Sequence, residues 1–271
     1  MTPEDALRVA EAVNRQGIAV TLDSLGESVT SESAAHRAAE VYHQLLDSIA
    51  ARGINVNISV KLTQMGLEQS VELAESIARN LAEHASATGN FVRIDMEGST
   101  LTQVTLDIVR RIHAQPATRE AVGVVIQSYL YRSQPDVVQL IADGIRIRLC
   151  KGAYKEPVEV AYPRKADVDA NYLKLSRMLL DSPMYHGLAT HDEAIINTVK
   201  TYAQAHGISR EHFEFQMLYG VRRDLQRNLV RDGYKVRVYV PFGTDWYPYF
   251  MRRLAERPAN VFFLMRNFFR S

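Results

Sequence analysis

The stretch YPYFMRR, residues 247–253, sets Arg252 and Arg253 side by side, with Tyr249 three positions before the first. Adjacent guanidinium forks can grip a carboxylate through paired hydrogen bonds, where a lysine would act only as a point charge. The surrounding TDWYPYFMRRLAER reads as a helix with Pro248 in its first turn. On it, Tyr249, Arg252, Arg253 and Glu256 fall at steps of three and four and so share one face. Two readings are open: a solvated helix side with an internal Arg–Glu pair of little energetic weight, or a clamp for a small anion.

Other polar residues recur inside short segments of period-two hydrophobicity. In INVNISVKL (54–62), Asn55, Asn57, Ser59 and Lys61 alternate with Ile54, Val56, Ile58 and Val60, so the two sets point to opposite faces. The same register places Arg93 and Asp95 in FVRIDM, Arg146 and Arg148 in IRIRL, Glu214 and Gln216 in FEFQM, and Arg237 and Tyr239 in VRVYV on one face.

Stepping along the chain, such segments occur at 18–23, 54–62, 91–97, 122–128, 145–150, 187–191, 213–218 and 236–240. Each precedes a stretch of helical spacing. After the second, Val71, Leu73, Ala74, Ile77, Ala78 and Leu81 recur at helical steps, with Ser70 as a cap. The other helices are expected at about 31–52, 102–114, 134–143, 168–181, 192–206, 221–232 and 245–257. Eight such pairs predict an α/β fold, a (βα)8 TIM-type barrel whose last helix closes over the strand C-terminal ends; a doubly wound open sheet is the alternative.

In a barrel the apolar set meets the helix layer and the polar set turns inward. Lys61, Asp95, Gln127, Arg148, Gln216 and Tyr239 then converge at the rim where such barrels hold their sites. Arg93, Arg146, Glu214 and Arg237 lie lower and are expected to neutralise one another. A single domain is expected over 1–271, with a leading helix at 1–16, the barrel at 17–257 and a tail at 258–271.

Composition excludes several classes. Thirty-two Lys and Arg against 31 Asp and Glu leave no basic excess for nucleic acid. One cysteine, Cys150, forms no intramolecular disulfide and suits a reducing compartment. With no signal-like leader and no run long enough to span a bilayer, a cytoplasmic protein is expected. The eight histidines include no His-x-His pair, so no catalytic metal is expected. Lys61 and Lys151, near strand ends, leave a class I Schiff-base aldolase or lyase open; as an alternative each anchors a ligand anion. In KGAY (151–154), Gly152 and Ala153 allow a flat or phosphorylated ligand close to the backbone. The aromatic and basic NVFFLMRNFFR (260–270) suits a last helix packed on the barrel, with a peripheral membrane contact also open.

Eight ordered motifs, SVKLTQMG, VRIDMEGS, VIQSYL, RLCKGAY, ATHD, FEFQMLYG, VYVPFG and YFMRRLAER, make the chain resemble the proline dehydrogenases, found as free enzymes and as one domain of proline utilization A proteins. The resemblance spans residues 15–265, and the length suggests the monofunctional type. It implies an FAD enzyme that oxidises L-proline to 1-pyrroline-5-carboxylate, the first step of proline catabolism towards glutamate. A hydride passes from proline C5 to flavin N5, and the electrons go on to a quinone. It further implies that Arg252, Arg253 and Lys61 hold the proline carboxylate, with Asp95 tied into the proline site. Tyr154, Leu218, Tyr239 and Tyr249 wall in its ring. Arg148 approaches flavin N5 and stands with Lys61, Arg252 and Arg253 among the catalytic groups. Gln127 contacts the isoalloxazine. Lys151, Gly152, Ala153, Thr190, His191 and Gln216 surround the cofactor, and Arg164 and Lys165 reach its pyrophosphate or adenosine. Glu256 ion-pairs an arginine and orders the closing helix. Cys150 stands where relatives often carry valine. A homo-oligomer is compatible with the family.

Overall fold

The computed structural model describes residues 1–26 and 28–243. Among them the chain runs α1 (Pro3–Asn14), β1 (Ala19–Ser24), α2 (Glu32–Arg52), β2 (Val56–Val60), α3 (Val71–Ala87), β3 (Val92–Ile94), α4 (Thr102–His113), β4 (Val122–Gln127), α5 (Ser133–Ala142), β5 (Arg146–Cys150), α6 (Lys165–Leu180), β6 (His186–Ala189), α7 (Glu193–Ala205), β7 (Phe213–Leu218), α8 (Arg223–Arg231) and β8 (Lys235–Phe242). All neighbouring strands pair in parallel and β8 returns to β1, from Ala19 opposite Arg237 to Ser24 opposite Phe242, which closes the barrel. The open-sheet alternative is thereby excluded.

Period two explains this architecture. Val20, Leu22, Ile58, Val60, Ile94, Val124, Ile147 and Leu149, the apolar members of their strands, are essentially inaccessible. They form one core with the inner faces of the helices, including Tyr42, Leu45, Leu46 and Ile49 of α2. Burying that stripe supplies the main stabilisation, while the caps fix where each helix starts. Ser70 caps α3 by accepting from the Leu73 amide at 3.0 Å, as the spacing predicts. Strands are shorter than their alternating segments: β2 ends at Val60 and β3 at Ile94, so Lys61 and Asp95 are the first residues past the strand ends.

The lower interior corrects one expectation. Arg237 does pair with Glu214, at 2.8 Å. Arg146, however, reaches outward to Glu120 at 3.3 Å. Arg93 donates to the carbonyls of Arg146, at 2.6 Å, and Val124, at 3.2 Å, with the Phe91 ring stacked 4.7 Å from its guanidinium carbon. One carboxylate serves one arginine here, and the carbonyls of the strand ladder take up the charge of another. Residues 244–271, with the eighth barrel helix and the tail expected there, lie outside the described residues.

Candidate active site at the barrel mouth

Four strands and the residue just past β3 send polar side chains to one cluster inside the barrel. Arg148 of β5, 5% exposed, donates through Nη1 to Asp95 Oδ1 at 3.0 Å and to Ser59 Oγ at 3.1 Å, and through Nη2 to Thr21 Oγ1 at 3.4 Å. Asp95 also accepts from Ser59 Oγ at 2.6 Å and, on its other oxygen, from the Tyr239 hydroxyl at 2.9 Å. The guanidinium carbon of Arg148 lies 5.4 Å from the Tyr239 ring centre. Thr21, Ser59, Asp95, Arg148 and Tyr239 thus form a belt across the barrel, the inward register expected of their strands.

Beside the belt, Lys61 donates to Asp23 Oδ2 at 2.9 Å, with the lysine 6% and the aspartate 0% exposed. Asp23 is the penultimate residue of β1 and is backed by the fully buried Tyr42 hydroxyl at 3.3 Å. Burial, with the Asp23 charge second, pushes the Tyr42 hydroxyl well above its ordinary pKa, so it stays a neutral donor. Gln127 donates from Nε2 to the Met96 carbonyl at 3.2 Å. Two buried polar atoms of this region, Gln127 Oε1 and Arg148 Nε, have no hydrogen-bond partner among the described residues. Buried polar atoms are nearly always satisfied, so an acceptor and a donor left over at a barrel mouth point to a ligand.

A family model described as proline dehydrogenase matches residues 6–266. The chain belongs to the proline dehydrogenase family. It is 45% identical to a proline dehydrogenase of Deinococcus radiodurans over 97% of this chain and 86% of the relative. It is 43% identical to proline dehydrogenase 2 of Bacillus subtilis, over 94% and 83%. Among solved structures it is similar to proline utilization A of Bdellovibrio bacteriovorus inactivated by N-propargylglycine, with a TM-score of 0.88 and 28% identity over 96% of this chain. This chain spans about a third of that longer protein, 32% of its length.

Between the β5–α6 loop, α6 and the start of α7 lies a second polar cluster. Lys151 reaches Asp169 at 2.5 Å and Asp192 at 3.2 Å, and Lys165 reaches the same two acids, Asp192 at 3.7 Å. Burial alone would raise the Asp169 carboxyl, but the hydrogen bonds from Lys151 and Lys165 outweigh it and hold it low; Asp192 behaves likewise with Lys151. Gly152 adopts φ +120, and a Cβ there would meet the Tyr129 ring at 2.4 Å, so only glycine passes. His191 accepts the Leu218 amide on Nε2 at 2.8 Å, which joins the β6 and β7 loops.

Not every expected residue enters these clusters. Arg164 is exposed and pairs with Asp167 at 2.7 Å, outside the mouth. Gln216 is turned down the barrel, donating to Glu214 Oε1 at 2.6 Å, and its amide packs over Gly187. Tyr154 and Leu218 are half-buried, at the β5–α6 loop and the end of β7, and Thr190 is buried directly after β6. Tyr249, Arg252, Arg253 and Glu256 lie outside the described residues. Missing from the expectation were Asp23, Thr21, Tyr42, Asp169 and Asp192. Asp23 ends its alternating segment at the same level as Lys61, a signal that could have found it; Tyr42 sits on the buried face of a helix and carried none.

Among the described residues, no helix is long and apolar enough to cross a membrane, and no group of three or more His, Cys, Asp or Glu could hold a metal.

Proposed function

We propose that this chain oxidises L-proline to 1-pyrroline-5-carboxylate with FAD bound across the barrel mouth, and that a quinone accepts the electrons. The observation that carries this reading, beyond family membership, is the belt centred on Arg148 with its unsatisfied Arg148 Nε and Gln127 Oε1. A flavin ring offers both acceptor nitrogens and an imide N–H, so this leftover donor and acceptor fit it in chemistry. Gln127, Arg148, Lys151, Gly152, Ala153, Thr190 and His191 would hold the cofactor, with Lys165 and Glu256 as the outer members of the set; Gln216, turned towards Glu214, and Arg164, paired with Asp167, would reach it only by leaving those partners. When bound, FAD supplies the hydride acceptor, its N5 taking the hydride of proline C5.

The chain's own residues would then do three things. Lys61, Arg252 and Arg253 fix the proline carboxylate and so orient C5. Tyr154, Leu218, Tyr239 and Tyr249 enclose the ring and exclude water, with Tyr239 held by its bond to Asp95. The cationic groups disfavour a protonated ring nitrogen, and Arg148 stabilises negative charge as it develops beside it. A Schiff-base lyase fits less well, because Lys61 and Lys151 are both engaged to carboxylates where that chemistry needs a neutral amine.

A Tyr249 phenol over the ring would leave little room for a hydroxyl group, so proline should be turned over in preference to hydroxyproline. The chain is read as a single-domain cytoplasmic enzyme; a homo-oligomer and a peripheral membrane contact are each compatible with this reading. An absorption spectrum tests the proposal: a yellow protein bleached by proline without oxygen supports it, and a colourless protein that FAD cannot reconstitute sinks it. If Arg252→Met leaves the proline KM unchanged, the clamp is misassigned.

A further inference from the structure

Of the acids at the mouth, Asp23 is the most deeply buried and has no part in the roles assigned above. Its surroundings are built rather than incidental. Oδ2 takes the Lys61 ammonium at 2.9 Å and Oδ1 faces the Tyr42 hydroxyl at 3.3 Å. Tyr42 accepts from the Ser24 amide at 3.1 Å, and its proton is shared with Gln64 Oε1 at 3.1 Å. Gln64 in turn donates to the Ser24 carbonyl at 3.0 Å. Two side chains, Tyr42 of α2 and Gln64 of the β2–α3 loop, together with the Ser24 backbone of β1, therefore hold the position of one carboxylate, and that carboxylate holds one ammonium.

We propose that Asp23 is the positioning and charge-setting residue for Lys61, an inference that rests on the carboxylate-clamp reading. A lysine side chain has four rotatable bonds, and a clamp on a small amino acid needs its nitrogen in one place before the substrate arrives. Asp23 supplies that place. It also matches the Lys61 charge, as Asp95 matches that of Arg148 at 3.0 Å. With Lys61 and Arg148 each facing a carboxylate, the substrate carboxylate shares Lys61 with Asp23, and the ring nitrogen meets a field made less positive by one charge. Asp23 thereby sets how far the site lowers the affinity of the bound amine for its proton.

The flavin-loaded enzyme with proline and an artificial electron acceptor tests this through three variants and the pH dependence of kcat, which reports groups of the enzyme–substrate complex. Asp23→Ala removes both anchor and charge and is expected to raise the proline KM about tenfold with kcat within about threefold, since uniform binding is what is lost. Adding Lys61→Met to it then costs nothing beyond Lys61→Met alone, because the two act as a unit. Asp23→Asn keeps an acceptor oxygen but no charge; KM stays within about threefold, and the acid limb of kcat moves down by about one pH unit, the scale of one charge acting over ~10 Å at an effective dielectric near 20. Binding of tetrahydrofuran-2-carboxylate, which keeps ring and carboxylate but lacks the amine, weakens in Asp23→Ala and shows no such pH limb.

Additive KM effects of Asp23→Ala and Lys61→Met, or an Asp23→Asn limb that stays in place, would overturn the inference and leave Asp23 a folding residue. Should Asp23→Ala not fold, Asp23→Asn alone decides. A Lys61→Met enzyme with an unchanged KM would instead remove the clamp role of Lys61, and this inference with it.

Discussion

The two ends of the barrel interior use the same residue types to opposite purpose. At the bottom, Arg237 donates to Glu214 and to the Val20 carbonyl at 2.8 Å each, Tyr185 donates to Glu214 at 3.0 Å, and Gln216 completes that carboxylate's shell. Burial alone would raise the Glu214 carboxyl, but the Arg237 charge and these hydrogen bonds hold it low. At the mouth, Arg148 and Gln127 each keep one buried atom unsatisfied. A network that closes on itself confers rigidity and leaves nothing for a ligand, whereas one left incomplete is bound to its partner by the cost of that gap. Arg93 keeps an unbonded Nε at the bottom as well, but its guanidinium is covered by Phe91 and tied to carbonyls.

That contrast can be broken most severely at its centre. Arg148→Met should cut the kcat/KM of the folded enzyme about a thousandfold, the range for losing a preorganised charge at a reacting centre, and should also lower the melting temperature because it leaves Asp95 without its cation; steady-state kinetics beside a thermal melt would check both. Arg237→Met should spare activity. It strands the buried Glu214 and should cost about 3–5 kcal/mol of stability, read by urea unfolding, while the folded fraction keeps kcat/KM within about threefold. If Arg237→Met instead removed activity without loss of stability, the division between a structural floor and a working mouth would fail.

Gly123 probes the floor without touching charge. A Cβ there would meet the Arg146 carbonyl at 2.5 Å and Arg93 Nη1 at 2.6 Å, backbone and a tied guanidinium that cannot both move. Gly123→Ala should therefore cost about 2–3 kcal/mol, within the overpacking range, visible as a lower urea midpoint. Next in size is a pH effect. Burial, with the Arg93 charge second, pushes His186 down to about 3, and the ring stays neutral, accepting the Ile147 amide at 3.0 Å while its other nitrogen meets Ser182 Oγ at 2.8 Å. The unfolded chain takes up a proton below about pH 6.5 that the folded chain refuses. The stability from this group is thus complete above that pH and is lost as pH falls towards 3, with a slope of at most about 1.4 kcal/mol per unit. His186→Gln should flatten the stability curve in that window. Smallest of all, Arg164→Ala removes an exposed pair and should shift stability by less than about 0.5 kcal/mol.

Much of the fold could be read from alternation, because every second residue of a parallel strand must face the helices and must be apolar to do so. The same rule located Lys61, Asp95, Arg148 and Tyr239 on the inner face, where Asp95, Arg148 and Tyr239 meet in one belt. It failed where a face was known but a direction was not. Arg146 shares the inward register with Arg148, yet its long side chain leaves the barrel for Glu120, and Gln216 bends down to Glu214. Tyr42 was read only as part of a helix, and no periodicity tells that its hydroxyl ends beneath a strand aspartate 19 positions earlier.

The sequence by itself determined which residues face inward, where each strand gives way to a helix, and, through its ordered motifs, the family. Those properties depend on local geometry: a two-residue repeat, a 3.6-residue repeat and the chemistry of caps. Only the tertiary structure decided the partners, that Asp95 stands between Arg148 and Tyr239, 144 positions away, and that Lys61 is already held by Asp23. A hydrogen bond is a matter of a few tenths of an ångström, and barrel closure, which sets β8 against β1, brings such pairs to that distance from opposite ends of the chain.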